Sequence, residues 1–248
     1  PYGETLGFVK IPAGKFIMGS MKEQHELVLP EDYWLAKYPV TVAQFRAFAA
    51  STGMEKLYER ALHGFDNHPV RYVTWFDAIS YCSWLNQQLS TVCSCYAGQG
   101  RSFRDDFQEN KIYVTLPSEA EWEKAARGKY GGIYPWGDHQ PRPNRANYDD
   151  TNIGGASPVG TFPSGASSYG VLDMSGNIWE WTRSIYKPYP YVAMDGREDI
   201  HAKEERVIRG GSFTSTASDV RCSTRSKVKP DFQSNELGFR IAIIRLRE

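Results

Sequence analysis

Residues 170–182 read GVLDMSGNIWEWT. The Gly176-Asn177 pair breaks the apolar run and marks a turn, after which Ile178-Trp179-Glu180-Trp181 sets one carboxylate between two indoles. Such a turn presents backbone carbonyls and carboxylates in a small space, which suits a hard cation with oxygen ligands. The same Asn and Glu would equally serve to satisfy loop backbone groups. Working outward, residues beyond Gly128 carry almost no helical periodicity. Gly, Pro, Asn, Asp and aromatics alternate with short strand signals up to LGFRIAIIRL at 237–246, an apolar run that suits a central buried strand. Few strands and much ordered loop is the organisation this implies.

Helices are confined to the first half. Thr41 with Gln44 forms a capping-box pattern, and Val42, Phe45, Phe48 and Ala49 share one apolar face up to Gly53. Thr74 with Asp77 opens a second helix, with Ala78, Tyr81, Cys82 and Leu85 on one side. Ser118 with Glu121 opens a third, ending at Arg127-Gly128. Glu119 and Glu123 share a face of that helix, and the expectation is an exposed, salt-bridged surface with Glu123 reaching Arg127. Residues 8–19 alternate around Ala13-Gly14 and are expected to form a hairpin, with the next strand at 26–29 or 33–36. Residues 86–111 turn polar and aperiodic and read as a surface loop or insertion.

Composition narrows the function. The chain has 248 residues, with 29 Lys and Arg against 29 Asp and Glu, so it carries no electrostatic footprint for nucleic acid. No apolar run approaches the roughly 20 residues of a spanning helix, so membrane insertion is not expected. PYGETLGFVK lacks a basic and apolar leader pattern, from which a cytoplasmic location is the expectation. Cys82, Cys93, Cys95 and Cys222 match no zinc spacing, and the five histidines include no i, i+4 pair. Cys82 fits a helix core, and Cys93 with Cys95 a loop. There is no GxSxG, P-loop or GxGxxG, so hydrolase, nucleotide-binding and dehydrogenase chemistry find no motif.

Read together, PVTVAQFRAF, PVRYVTWFDAISYCSWL, LPSEAEWEKAARG, YPWGD, PVGTFPSGASSYGVLDMSGNIWEWT and VIRGGSF with LGFRIA resemble the sulfatase-modifying-factor, or formylglycine-generating-enzyme, family. The likeness runs over residues 8–245, with 86–111 and 187–205 outside the pattern. It implies an α+β fold over 1–248 as a single domain: a large variant of the C-type lectin fold, with two main helices, a small mixed sheet and extensive ordered loop. It also implies a structural calcium held by the side chains of Asp173 and Glu180 and the carbonyls of Gly176 and Ile178. A second calcium site of some members would use Asn147, with Asp149 or Asp150 nearby.

The enzymes of this family place two cysteines after the RGGS motif, where a thiolate pair binds copper. Here the stretch after Phe213 is TSTASD, shorter and without a thiol, and Cys222 stands at a core-type position. Formylglycine generation is therefore not expected, nor is the iron chemistry of the sulfoxide synthases, whose histidine set is missing. The same segment resembles the variable proteins of diversity-generating retroelements. Their fixed frame corresponds here to Arg209, Gly210, Gly211, Ser212, Arg221, Arg225, Pro230, Asp231, Gly238, Phe239 and Arg240. The positions rewritten in that family correspond to Thr214, Ser215, Thr216, Asp219, Thr224, Ser226, Lys227, Val228, Lys229, Phe232, Ser234, Asn235 and Glu236. Adenine mutagenesis of Asn codons yields Thr, Ser, Asp, Val or Phe but not Lys or Glu, so Lys227, Lys229 and Glu236 need other template codons. The expectation is a non-catalytic binder, its 209–240 region meeting an unidentified ligand, a protein, with Phe213 and Phe232 as apolar contacts. A static accessory domain of the same family is the alternative.

Overall fold

The first two strands do not close on each other. In the computed structural model, which describes residues 7–94, 109 and 111–246, β1 (Phe8–Ile11) pairs antiparallel with β4 (Tyr33–Ala36). β2 (Gly14–Met18) pairs instead with β3 (His25–Leu29). Pro12 offers no donor, and the Ala13 N–H is taken by Asp32 Oδ1 at 2.7 Å, so the chain steps from one sheet to another where a hairpin was expected. Both candidate strands after it are present.

The rest of the first sheet comes from far along the chain. Its order is β1-β4-β10-β5, with β5 at Ile112–Thr115 and β10 at Ala242–Arg245. The run 237–246 is thus two strands. β9 (Leu237–Phe239) belongs to the third sheet and runs parallel to β6 (Trp179–Ile185), whereas β10 is the buried central strand the apolar run suggested. The break falls at Arg240, a residue with 0 % exposure whose guanidinium lies against Glu180 and forbids a continuous ladder. The third sheet has the order β8-β7-β6-β9, with β7 at Arg206–Arg209 and β8 at Arg225–Val228.

The helices start where their caps place them. In α1 (Val42–Thr52) Thr41 and Gln44 cap each other reciprocally, and Gly53 takes the left-handed C-terminal position at φ 68°. After the one-turn α2 (Glu59–Leu62), α3 (Trp75–Ser94) runs on through 86–94, where a loop was expected. Asn86 explains part of this: its amide clamps both backbone groups of Val114 on β5, at 2.8 and 2.7 Å. Ser90 and Thr91 return their hydroxyls to carbonyls four residues back, so a polar run persists as helix. Cys93 is therefore helical; Cys95 and most of the expected insertion lie outside the described residues. Phe45, Phe48, Tyr58, Tyr81 and Phe239 make edge-on and stacked contacts that join α1, α2 and α3 to β9.

α4 (Glu119–Arg127) departs most from the reading of its sequence. Its capping box is present, but Glu119 and Glu123 are both fully buried. Glu123 Oε1 accepts from Gly19 N and from Arg127 Nε at 2.8 and 2.7 Å, and Oε2 accepts from Arg209. Glu119 accepts from Arg225 and from the Tyr189 hydroxyl, with Arg209 3.8 Å away. The face is charged because it meets an arginine cluster, not because it meets water.

A second buried pair links the sheets. Arg240 contacts Glu180 through Nε at 2.6 Å and Nη2 at 2.7 Å, and donates to the carbonyls of Ala36 and Leu172 at 3.1 and 2.9 Å. Trp122 Nε1 completes the carboxylate at 2.8 Å. Arg240→Ala leaves Glu180 charged, buried and short of its main partner, so urea unfolding of this variant is expected to show a loss of about 3–5 kcal/mol. A loss under about 1 kcal/mol would mean that the pair does not hold the sheets together.

Candidate functional site

The segment that carries the proposed face is built inside out. β7 ends at Arg209, which donates to the carbonyls of Cys222, Ser223 and Thr224 at 3.0, 2.9 and 2.7 Å, fixing the return of the chain toward β8. Arg225 packs its guanidinium over the rings of Tyr186 and Tyr189, 4.2 and 4.3 Å from their centroids. Gly238 admits no side chain, since a Cβ there would stand 2.1 Å from the Val70 carbonyl.

The loops between these posts are tied down through the main chain. The carbonyls of Pro230, Ser234 and Glu236 accept from the N–H groups of Trp75, Tyr72 and Trp179, at 3.0, 2.9 and 2.7 Å. The carbonyl of Asn235 accepts from Arg71 at 3.2 Å. Phe213 N–H donates to the Asn177 carbonyl at 3.1 Å, which joins this segment to the Gly-Asn turn.

Exposure then separates the positions. Arg209, Gly210, Gly211, Ser212, Pro230, Gly238, Phe239 and Arg240 are buried, and Arg221 and Arg225 are half-buried. Thr214, Thr216, Lys227, Lys229, Phe232 and Asn235 are exposed, and Asp219, Thr224, Ser226, Val228, Ser234 and Glu236 are half-buried. Three positions do not follow the expectation. Phe213 is only 7 % exposed and Ser215 is buried, so neither offers surface to a ligand, while Asp231 of the frame is exposed. Phe213 is drawn in by its backbone bond to Asn177. Ser215 turns its hydroxyl to Ser212 N at 2.9 Å. Phe232, 46 % exposed, is the aromatic that the face presents.

Where a thiolate pair would have to stand, the structure places hydroxyls around a carboxylate. Ser212 Oγ and Thr214 Oγ1 each donate to Glu236 Oε2 at 2.7 Å. Thr216 Oγ1 donates to Asp219 Oδ2 at 2.7 Å. Cys222 is fully buried among Trp122, Val171 and Met174, and burial pushes its thiol up to about 12, leaving it protonated.

Beside β8 a groove of about 750 Å³ is lined by Phe76, Tyr186, Lys203, Glu204, Lys229 and Asp231, among others. Glu205, one of its lining residues, pairs with Lys227 at 2.6 Å. The 187–205 stretch, which fell outside the sequence pattern, therefore contributes a wall. Apart from scattered charges and aromatics, nothing in its sequence signals that role.

The Gly-Asn turn is buried. Gly176 has φ 76°, and a Cβ there would stand 2.1 Å from the Asn147 carbonyl, so only glycine fits. Asp173 lies beside Arg240 and Glu180, and its Oδ2 accepts from Gly160 N at 2.7 Å. Two carboxylates here share one guanidinium, which leaves a buried negative charge in excess. Burial, opposed by the Gly160 N–H and by Arg240, raises Asp173 to about 6. Among the described residues no three His, Cys, Asp or Glu side chains cluster for a metal, so a cation here would rely on the Gly176 and Ile178 carbonyls as well. Both Glu180 oxygens are taken by Arg240 and Trp122, so Asp173 is the carboxylate that such a cation would find beside those carbonyls. The second position is not assembled. Asn147 spends its amide on Gly155 O, Asn177 Oδ1 and the Thr151 hydroxyl, and Asp149 and Asp150 are exposed.

The comparisons with known proteins agree with this architecture. A model of the "Sulfatase-modifying factor enzyme 1-like domain" matches residues 2–244, and the chain belongs to that family. It is 32 % identical over 243 residues to the mouse protein named inactive C-alpha-formylglycine-generating enzyme 2, an alignment covering 92 % of this chain and 62 % of that relative's length. Among solved structures the fold matches PvdO from Pseudomonas aeruginosa, with a TM-score of 0.74 at 22 % identity, covering 96 % of this chain and 94 % of that one. It also matches Treponema denticola variable protein 1, with a TM-score of 0.71 at 20 % identity, covering 95 % and 94 %. The formylglycine-generating, lectin-like architecture expected from the motifs is thus the observed fold.

A buried acid whose folded value stands above its ordinary 3.8 binds its proton more tightly in the native state. Its penalty is fully present above pH 6, shrinks as the pH falls, and is gone below pH 4. Asp173→Asn keeps an acceptor for Gly160 and tolerates the φ of 56° at that position. In chelator-treated protein the variant is expected to be more stable than the parent by about 1–3 kcal/mol at pH 8 and equal to it near pH 4. Thermal melts across that range check this; a variant that is less stable at pH 8 contradicts it.

Proposed function

We propose that the chain is a non-catalytic recognition module whose ligand, a protein, meets the face formed by residues 214–236, with the groove beside β8 as its margin. The observation that carries this reading is the sorting by exposure: apart from Ser215 and Asp231, frame positions are buried or half-buried and changeable positions are exposed or half-buried, on loops held through their main chain. Hydroxyls adapt their hydrogen bonds, and Phe232 supplies apolar area, as recognition surfaces require. The fold shared with Treponema denticola variable protein 1 supports a diversified surface of the retroelement type. The protonated Cys222 and a relative named as inactive support the absence of catalysis. Asp173 with the Gly176 and Ile178 carbonyls is proposed to hold a structural calcium, which would neutralise Asp173 and stiffen the turn; Glu180, the fourth expected ligand, is committed to Arg240 and Trp122.

Three experiments test this. The DNA flanking the gene is expected to contain a reverse-transcriptase gene and a near-copy of the segment encoding 209–240 that differs only at adenines. A flanking sequence with neither removes diversification and leaves a static binder. Incubated with copper and a cysteine-containing peptide, the protein is expected to consume no oxygen, and turnover would overthrow the non-catalytic reading. Calcium is expected to raise the melting temperature of the parent and not that of Asp173→Asn.

A further inference from the structure

A separate cleft of about 390 Å³ lies where β4, β5, β10, α4, β6 and the 191–200 loop converge, and it shares no lining residue with the 209–240 segment. This size is in the range that holds small molecules. Its floor is Arg183, made rigid by a bidentate pair with Glu121 at 2.7 Å for both bonds, by Glu198 Oε2 at 3.1 Å from Nε, and by a bond to the Leu116 carbonyl at 2.8 Å. Tyr191 and Ser184 hydroxyls fix Glu198 from the other side, at 2.6 and 2.5 Å. A guanidinium so fully engaged is not available to an incoming anion.

The wall presents the opposite preference. Tyr113 and Thr115 lie two residues apart on one face of β5, and both line the cleft. Thr115 is only 6 % exposed and Tyr113 is half-buried, and neither side chain makes a hydrogen bond among the described residues. Hydroxyls that open onto a cavity without a protein partner offer a place for a ligand's polar group. The charged groups that line the cleft are Glu31, Asp32, Glu121 and Glu198 with Arg183 and Arg245; outside the lining, Lys10 meets Asp32 at 2.6 Å and Lys124 also interacts with Asp32. Among the lining residues four carboxylates against two guanidiniums leave the wall negative. Tyr33, Ile200 and Ile244 supply apolar area for a compact body.

From this combination we infer that the cleft binds a small organic amine: a cationic head drawn by the excess carboxylate, hydrogen-bonded to the Tyr113 and Thr115 hydroxyls, with an aromatic or aliphatic body against the apolar wall. The test uses three probes with one ring and different charge, namely tyramine, 4-ethylphenol and 4-hydroxyphenylacetate, titrated by calorimetry and by ligand-observed NMR at pH 7.5. Tyramine is expected to bind about tenfold or more tightly than the neutral probe, and the carboxylate probe is expected not to bind. Thr115→Val, which keeps the shape of the side chain, is expected to weaken tyramine about five- to tenfold. Ala193→Phe, which places a ring in the cleft, is expected to abolish it. Lys229→Ala with Phe232→Ala, on the other face, is expected to leave it unchanged, so failure here is distinguishable from failure of the recognition face. Absence of tyramine binding, equal binding of the three probes, or binding that survives Ala193→Phe in a folded protein overturns the inference.

Discussion

The contact between Arg240 and Glu180 is the constraint on which the other arrangements rest. It sits at the point where β9 leaves the third sheet and β10 enters the first, so one guanidinium sets the boundary between two strands that would otherwise run on. Its remaining donors reach the carbonyls at 36–37, at the end of β4, and at 172–173, just ahead of the Gly-Asn turn. A charge so deeply buried is costly unless every donor is used, and here the side chain makes bonds to one carboxylate and four carbonyls. The geometry of the Gly-Asn turn, and through Asn177 that of Phe213, follows from this one placement.

The second network, around Glu119 and Glu123, does the same work for the variable-type segment. Arg209 and Arg225 both terminate on α4, so the two strands β7 and β8 are referenced to one helix. Burial of this many charges adds little net stability against an apolar alternative, but it admits one register only. For the recognition role proposed above, a fixed register would matter more than extra stability, because the loops would have to present the same frame whatever side chains they carry.

Much of the fold is legible in the sequence because caps, turns and periodicity are local. Thr41 with Gln44, Thr74 with Asp77 and Ser118 with Glu121 each announce a helix that the structure contains. The failures are non-local. Glu119 and Glu123 are spaced as a solvent face, and only residues 86 and 106 positions further on, Arg209 and Arg225, make them interior. Residues 8–19 have the composition of a hairpin, but Asp32 captures the Ala13 amide and β4 pairs with all four residues of β1. For the site, frame and surface positions follow the motif with the exceptions of Phe213, Ser215 and Asp231. The groove wall at 187–205 and the cleft at Arg183 leave no trace in spacing, since each is assembled from separated segments.

The way the 230–236 loop is fastened has a consequence for how the protein can change. Its anchors are the carbonyl oxygens of Pro230, Ser234, Asn235 and Glu236, received by donors that lie outside the loop. A carbonyl is the one group that all twenty residues share, proline included. Mutation at Asn235 alters chemistry on the outside without touching this fastening, whereas Ser234 and Glu236 also anchor through their side chains, Ser234 Oγ accepting from Glu236 N and Glu236 Oε2 from Ser212 and Thr214. The cost of exploring new sequences is therefore low at Asn235 and high at Gly238 and Arg240. Mutational tolerance in this protein is a property of the hydrogen-bond pattern, and it ends where side chains take over the anchoring.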